Sequence, residues 1–267
     1  MESYRLKNII LLLLVVTNFF LLATLLSRWA DETRLQESAA TQLVQLFSSR
    51  GVELDAKNIP KETPSTLLTL TRSSQEEENL AAFFLGEDAS FQDDGGGLTR
   101  YQSTLGTLTF LSSGDFNLTA SLSADDPQEL CDDFFQQFHY QEATFSLEKD
   151  SGTVTAMQYF DGRPVVNCTV TLTFSDGVLV SASGRHLPSG SSSESAADCI
   201  SAATALTSFL QALADQDRTC SQVRAVELGY ALQNTPATPL SLTPVWRITT
   251  DSFYCYVNSI SGEVVWN

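Results

Sequence analysis

The sequence predicts an α+β protein: an N-terminal single transmembrane helix followed by tandem extracytoplasmic units of helices packed on antiparallel sheets. Three observations carry that prediction. Ile9 to Leu26 is an uninterrupted uncharged stretch of 18 residues. Amphipathic helical patterns followed by alternating apolar runs then recur along the chain. Tight-turn signals, Ser113-Gly114 and Asp176-Gly177, separate several of those runs.

Eighteen uncharged, mostly apolar residues at helical rise are just enough to cross a bilayer. A cleavable leader would need small residues before the cut. The candidate Ser27-Arg28-Trp29-Ala30 places Arg28 at the minus-three position, so residues 9–26 read as an uncleaved anchor. Tyr4 and Trp29 bracket the span as interfacial aromatics, and Arg5 and Lys7 keep residues 1–8 in the cytoplasm, although Arg28 and Arg34 weaken that asymmetry. Asn18 lies near the middle of the span. Thr17 and Thr24 share a face, and Asn18 is offset from them by one helical step, giving a polar stripe that a second membrane helix could cover. A single amide tolerated by a long apolar helix is the alternative.

Residues 27–50 read as a juxtamembrane helix with Leu35, Ala39, Leu43, Leu46 and Phe47 near one face and Gly51 to stop it. A first α+β unit, 51–122, opens with a capping box at Ser74-Gln75-Glu76-Glu77 ahead of Leu80, Phe83 and Phe84. Its strands surround Gly106 to Phe116. Gln92-Asp-Asp-Gly-Gly-Gly-Leu reads as a mobile hairpin loop, lacking calcium-loop spacing and a phosphate-loop lysine. The second unit, 123–188, has Asp126 as N-cap, Pro127 at N1, and Leu130, Cys131, Phe134, Phe135 and Phe138 at core spacing, then strands from Thr153 to Ser183. Leu187-Pro-Ser-Gly-Ser-Ser-Ser-Glu-Ser has the composition of a flexible linker. The third unit, 189–267, carries a helix with Ile200, Ala203, Leu206, Leu210 and Leu213 and strands over 223–232, 245–250, 253–257 and 264–266. Phe174-Ser-Asp-Gly-Val-Leu-Val and Ile260-Ser-Gly-Glu-Val-Val-Trp share an apolar-turn-apolar pattern that duplication or hairpins alone would produce.

The formal net charge is −17, and residues 1–26 hold only Glu2, Arg5 and Lys7, so residues 27–267 carry −18. Such acidity disfavours nucleic acid as a partner and repels anionic surfaces, leaving partner proteins, dissolved cations or plain solubility. Cys131, Cys168, Cys199, Cys220 and Cys255 show no Cys-x-x-Cys spacing, so buried free thiols with at most one disulfide are expected rather than a metal site. Asn117-Leu-Thr and Asn167-Cys-Thr match the glycosylation pattern by coincidence. His139 and His186 are the two histidines, each expected to be structural or exposed. No metal, cofactor or catalytic set is assigned. Hydrolase motifs are absent; of the pairs Asp93/Asp94, Asp125/Asp126 and Asp132/Asp133, adjacent positions diverge by about 100° on a helix, and Asp125/Asp126 reads as a cap rather than an acid/base pair, which leaves a glycosidase as the leading enzymatic alternative.

Several segments together make the chain similar to the YycI/YycH group of membrane-anchored regulatory proteins, with YycI the closer. They are Tyr4-Arg-Leu-Lys-Asn-Ile-Ile, Asn18-Phe-Phe-Leu, Gly51-Val-Glu-Leu-Asp with Ile59-Pro60, and Gly106-Thr-Leu-Thr-Phe-Leu-Ser-Ser-Gly. The C-terminal Pro244-Val-Trp-Arg-Ile and Tyr256-Val-Asn-Ser-Ile-Ser-Gly-Glu-Val complete the set. The last segment also resembles PepSY-like domains. The resemblance implies a non-enzymatic accessory of a WalK (YycG) type sensor histidine kinase in a two-component system, associated with the kinase and a YycH-like partner and held in lipid by its anchor. It places Thr17, Asn18 and Thr24 on the contacting span as helix-packing candidates. A PepSY-like peptide-binding or peptidase-inhibitory module is the alternative, and an anchored cell-wall hydrolase is a third.

Overall fold

The computed structural model describes residues 17, 39–124, 126–187, 189–235 and 238–266. Thr17 is helical; the rest of the expected span, Asn18 and Thr24 included, lies outside the described residues. Among the described residues, no helix is long and apolar enough to cross a membrane. They form a mixed α+β structure, mostly sheet, with four α-helices.

Helix α1 (39–49) leads into β1 (Glu53–Leu54), a 3-10 turn (Ala56–Asn58) and β2 (Thr66–Arg72). Three helix-then-strand series follow. The first is α2 (Ser74–Leu85) with β3 (Ser90–Gly95), β4 (Leu98–Gln102), β5 (Gly106–Leu111) and β6 (Asp115–Ser123). The second is α3 (Pro127–Phe138) with β7 (Tyr140–Glu148), β8 (Ser151–Phe160), β9 (Arg163–Ser175) and β10 (Val178–Arg185). After β11 (Ser189–Ala196) comes the third, α4 (Ala202–Asp215) with β12 (Gln222–Thr235), β13 (Thr238–Thr250), β14 (Tyr254–Asn258) and β15 (Val264–Trp266).

The strands run in the order β11-β2-β13-β12-β9-β10-β6-β5-β4-β3, with β7 joined through β8 to β9 and β14 and β15 beyond β13. Helices α2 and α3 bury their apolar faces in one shared core, where the Phe134 ring lies 5.5 Å from Phe83 and 5.1 Å from Phe84. Stretches 51–122 and 123–188 therefore close over one sheet. A second core joins α1 and α4 to β12–β15, with Phe47 stacked on Phe209 at 6.4 Å and Trp246 donating its indole N–H to Ile200 O at 2.9 Å. Strand β9 passes between the halves, pairing with β12 in parallel at Val165↔Tyr230. The approach is close enough that a Cβ on Gly229 would sit 2.8 Å from the Pro164 carbonyl oxygen. Asn167 fastens the crossing by accepting from Leu232 N at 2.8 Å and donating to Leu232 O at 2.9 Å. That occupation gives the residue a structural role in place of the coincidental glycosylation match.

Several expectations hold. Asp126 caps α3 by accepting from Gln128 N at 2.8 Å, with Pro127 in the first turn, and Asp176-Gly177 turns β9 into β10. Others are corrected. Ser74 is the first helical residue rather than the cap: Ser73 stands at the N-cap with no side-chain hydrogen bond. Glu77 is buried and accepts from Thr99 Oγ1 at 3.0 Å instead of closing a capping box. The Ser-rich linker is β11, paired antiparallel with β2, because its backbone groups complete that edge while its small polar side chains from Ser192 to Ser195 face solvent. The Gln92 to Leu98 segment forms a hairpin as expected, closing β3 onto β4, with Gly95 N donating to Asp93 Oδ1 at 2.8 Å. The described part of the expected juxtamembrane helix is helical over 39–49, and its face buries Leu43 and Phe47 against α4.

Candidate functional site

A buried cation, Arg247, lies in the middle of β13 opposite Glu227 of β12 and Tyr256 of β14. Its side chain is 8% exposed and crosses the junction to β7, where Nη1 and Nη2 donate to Glu142 Oε1 and Oε2 at 2.9 and 2.7 Å. Nη1 also reaches Glu227 Oε1 at 3.2 Å. The hydroxyl of Tyr159, from β8, donates to Glu142 Oε1 at 2.7 Å, and the Tyr254 ring lies 5.0 Å from the guanidinium carbon. Backbone geometry aims Glu142: it sits at φ 52 where the β7–β8 register breaks between Gln141 and Thr144, a bulge that re-aims its side chain.

The two carboxylates differ. The hydrogen bonds from Arg247 hold the Glu142 carboxyl below the usual range against the opposing effect of desolvation, with the Tyr159 hydroxyl adding to the effect. Desolvation outweighs Arg247 at Glu227 and pushes that carboxyl up. Burial, reinforced by the bond to Glu142, also pushes the Tyr159 hydroxyl up. A shallow cleft of about 230 Å³, lined by Glu142, Thr144, Thr155, Met157, Arg247 and Tyr254, opens beside the cluster. Its chemistry is that of a bidentate clamp joining the β7–β8 and β12–β13 strand pairs.

A second polar cluster lies inside the α2/α3 core. His186 is buried, and its Nδ1 is 3.1 Å from Gln158 Nε2 and 3.3 Å from the Tyr140 hydroxyl. Gln158 Nε2 also donates to Phe138 O, and Gln158 Oε1 accepts from Leu187 N at 2.7 Å, so Gln158 presents a donor to the ring. Nδ1 therefore accepts, and the proton of a neutral ring sits on Nε2, 4.0 Å from Glu76 Oε2. The facing His186 imidazole holds the Glu76 carboxyl low, partly opposed by desolvation, and burial pushes the Tyr140 hydroxyl well up. His139, in contrast, is exposed in the left-handed position that ends α3.

A third feature is a groove of about 560 Å³ at the start of α1, lined by Ala39, Ala40, Lys57, Ile59, Pro60 and Ser201. The carboxylate pairs of the sequence separate into local roles. Asp94 meets Arg100 at 2.7 Å, Asp126 caps α3, and Asp132 and Asp133 are exposed. All five cysteines are free, and among the described residues no cluster of three or more His, Cys, Asp or Glu could hold a metal. Sequence reasoning did not single out Glu142, Glu227 or Arg247. One available signal was an arginine in the apolar run Val245-Trp246-Arg247-Ile248, where a charge on a buried strand requires a partner.

Similarity to known proteins was found at two levels. The crystal structure of an uncharacterized protein from Eubacterium rectale ATCC 33656 is similar at 10% identity, over 76% of this chain and 86% of that one, with a TM-score of 0.42. The Bacillus megaterium YpeB C-terminal domain is similar at 12% identity, over 74% of this chain and 100% of that one, with a TM-score of 0.34. Neither likeness bears on function at those scores. No curated protein matches the chain. The model of the YycI protein family matches residues 31–260, well over half of the sequence, and the chain therefore belongs to that family.

Proposed function

We propose that this chain is a non-enzymatic, membrane-anchored regulator that modulates a WalK/YycG type sensor histidine kinase through transmembrane and ectodomain contacts. The observation that carries the reading is the family match over residues 31–260, the YycI family being one of regulatory accessories. The uncharged run from Ile9 to Leu26 supports an anchor with residues 1–8 cytoplasmic and residues 27–267 outside. Thr17, Asn18 and Thr24 form the helix-packing face, and a YycH-like protein is the second partner. A regulator of this kind acts by binding two kinase states unequally. A difference of about 1.4 kcal/mol changes their ratio tenfold, within reach of one interhelical hydrogen bond with some packing.

The test is a photoreactive residue at Asn18, with identification of the captured membrane protein, alongside kinase autophosphorylation in membranes with and without the full chain. Capture of a sensor kinase or a YycH-like protein, with a changed phosphorylation level, is expected. Capture of lipid alone together with unchanged phosphorylation refutes the reading.

A further inference from the structure

Strand β3 ends the main strand path and pairs only with β4, so among the described residues its outer backbone edge has no strand partner. Other edges differ from it. β7 is broken by its register shift, and the Ser192 to Ser195 stretch of β11 offers no large apolar side chain. On β3, Phe91 is directly opposite the buried Tyr101, with ring centroids 5.3 Å apart, yet Phe91 is 61% exposed because α2 covers Tyr101 and stops short of it. The aromatic layer of the core thus continues past the last strand into solvent. Beside it lies a groove of about 420 Å³ whose lining includes Glu78, Asn79, Ala82, Glu87, Phe91 and Tyr101.

An added strand would lie about 4.8 Å beyond β3, and its inward side chains would fall on Phe91 and into this groove. Charge selects the occupant. Glu78 and Glu87 line the groove, Asp88 and Asp93 flank it, and no Lys or Arg lines it among the described residues, while the nearby Arg100 is paired with Asp94. A second copy of this acidic edge would be repelled. We propose that the β3 edge and the Phe91 groove form a docking site for an extended, basic segment of a partner protein, which adds a strand whose groove-facing side sets an apolar residue on Phe91 and basic residues beside Glu78 and Glu87. This goes beyond the kinase assignment, because binding is read on the chain alone.

The test measures fluorescence anisotropy of a labelled eight-residue peptide, Lys-Thr-Val-Thr-Lys-Thr-Val-Thr, whose Lys and Val share one strand face, titrated with the full chain in detergent micelles. Its probes also include a Glu-for-Lys counterpart and two versions N-methylated on alternate backbone positions. The Lys peptide should bind and the Glu peptide should not. N-methylation in one register should abolish binding while the other register is tolerated, since only one set of N–H groups faces β3. Phe91→Ser should weaken binding about tenfold or more, and Glu78→Lys with Glu87→Lys should remove it. Absent binding, equal sensitivity to both N-methylation registers, affinity unchanged by Phe91→Ser, or Phe91-dependent self-association would each overturn the proposal. The N-methylated peptides address wild-type protein, so a folding defect in a variant does not blunt the test.

Discussion

Replacing the two carboxylates of the Arg247 clamp one at a time should have opposite consequences. Glu142→Gln replaces the bidentate carboxylate by a neutral amide with one acceptor oxygen and leaves a guanidinium that is 8% exposed with Glu227, at 3.2 Å, as its only charged partner. A hydrogen bond to a charged group contributes about 1.5–3 kcal/mol. The Glu142 side chain is 43% exposed, so solvent screening discounts that figure, and a loss of about 1–2 kcal/mol is expected at neutral pH. Glu227→Gln instead relieves a desolvated carboxylate while keeping an acceptor for Nη1, and should lie within about 0.5 kcal/mol of wild type. The pH dependence separates the two further. The carboxyl of Glu142 is depressed on folding, so its contribution is present above the ordinary value of 4.5 and is lost as pH falls through its lower folded value. Glu227 is raised, so its contribution is present below 4.5 and is lost as pH rises through the folded value. Urea denaturation followed by the fluorescence of buried Trp246, at neutral pH and at about pH 4, reads both effects. The acid-induced loss should be smaller in Glu142→Gln than in wild type. A neutral Glu142→Gln, or a Glu227→Gln as damaging as Glu142→Gln, would refute the assignment of Glu142 as the principal anchor.

Three further outcomes follow from the packing. Phe47→Ala, at a site with no exposed surface and a ring stacked on Phe209, should cost about 3–5 kcal/mol and expose α1 to proteolysis. Asn167→Ala leaves both backbone groups of buried Leu232 without their side-chain partner and should cost about 1–3 kcal/mol in the same denaturation assay, whereas an exposed Asn117→Ala should change little. Thiol titration with an aromatic disulfide should modify half-buried Cys199 and Cys220 first. Cys131 and Cys255, pushed up to about 12 by burial, and Cys168, raised further, should react only on unfolding, as mass spectrometry would show.

Local rules read the helices well because their causes are local. Asp126-Pro127 and the Phe134, Phe135 and Phe138 spacing place α3 whatever lies elsewhere in the chain. The Ser-rich stretch was misread for the opposite reason: whether Ser189 to Ala196 is a linker or a strand depends on β2, more than a hundred residues earlier. The same limit hid the Arg247 clamp, since Glu142 is distant in sequence and meets Arg247 only because a bulge turns it toward β13. Glu77 could not be distinguished from a capping-box residue without Thr99 opposite it. Helix placement was legible; interactions whose two halves lie on different elements were not.

Under the proposed function, the same distinction bears on how an event at the membrane would reach the folded domain. Helix α1 is the first described element of length after the apolar N-terminal run, and it is fixed into the α4 core by Leu43 and Phe47. Peeling it away would expose Phe47 and Leu43 together, a cost of several kcal/mol. A tenfold shift in a two-state partner needs only about 1.4 kcal/mol. A partner interaction of that size is too weak to undock α1, so movement at the membrane would carry α1 and α4 as one body, with β13 and β14 packed beneath α4. Strain would then fall first on contacts that join this body to the rest, and the Glu142–Arg247 pair, whose Glu142 side is 43% exposed, is one where water can take over the carboxylate at lower cost than opening the apolar core. Glu142→Gln should therefore alter regulation at a stability loss that leaves the fold intact, while Phe47→Ala should abolish regulation and folding together. Kinase autophosphorylation measured beside the denaturation midpoint of each variant distinguishes the two, and regulation unaffected by Glu142→Gln would exclude the clamp from the route.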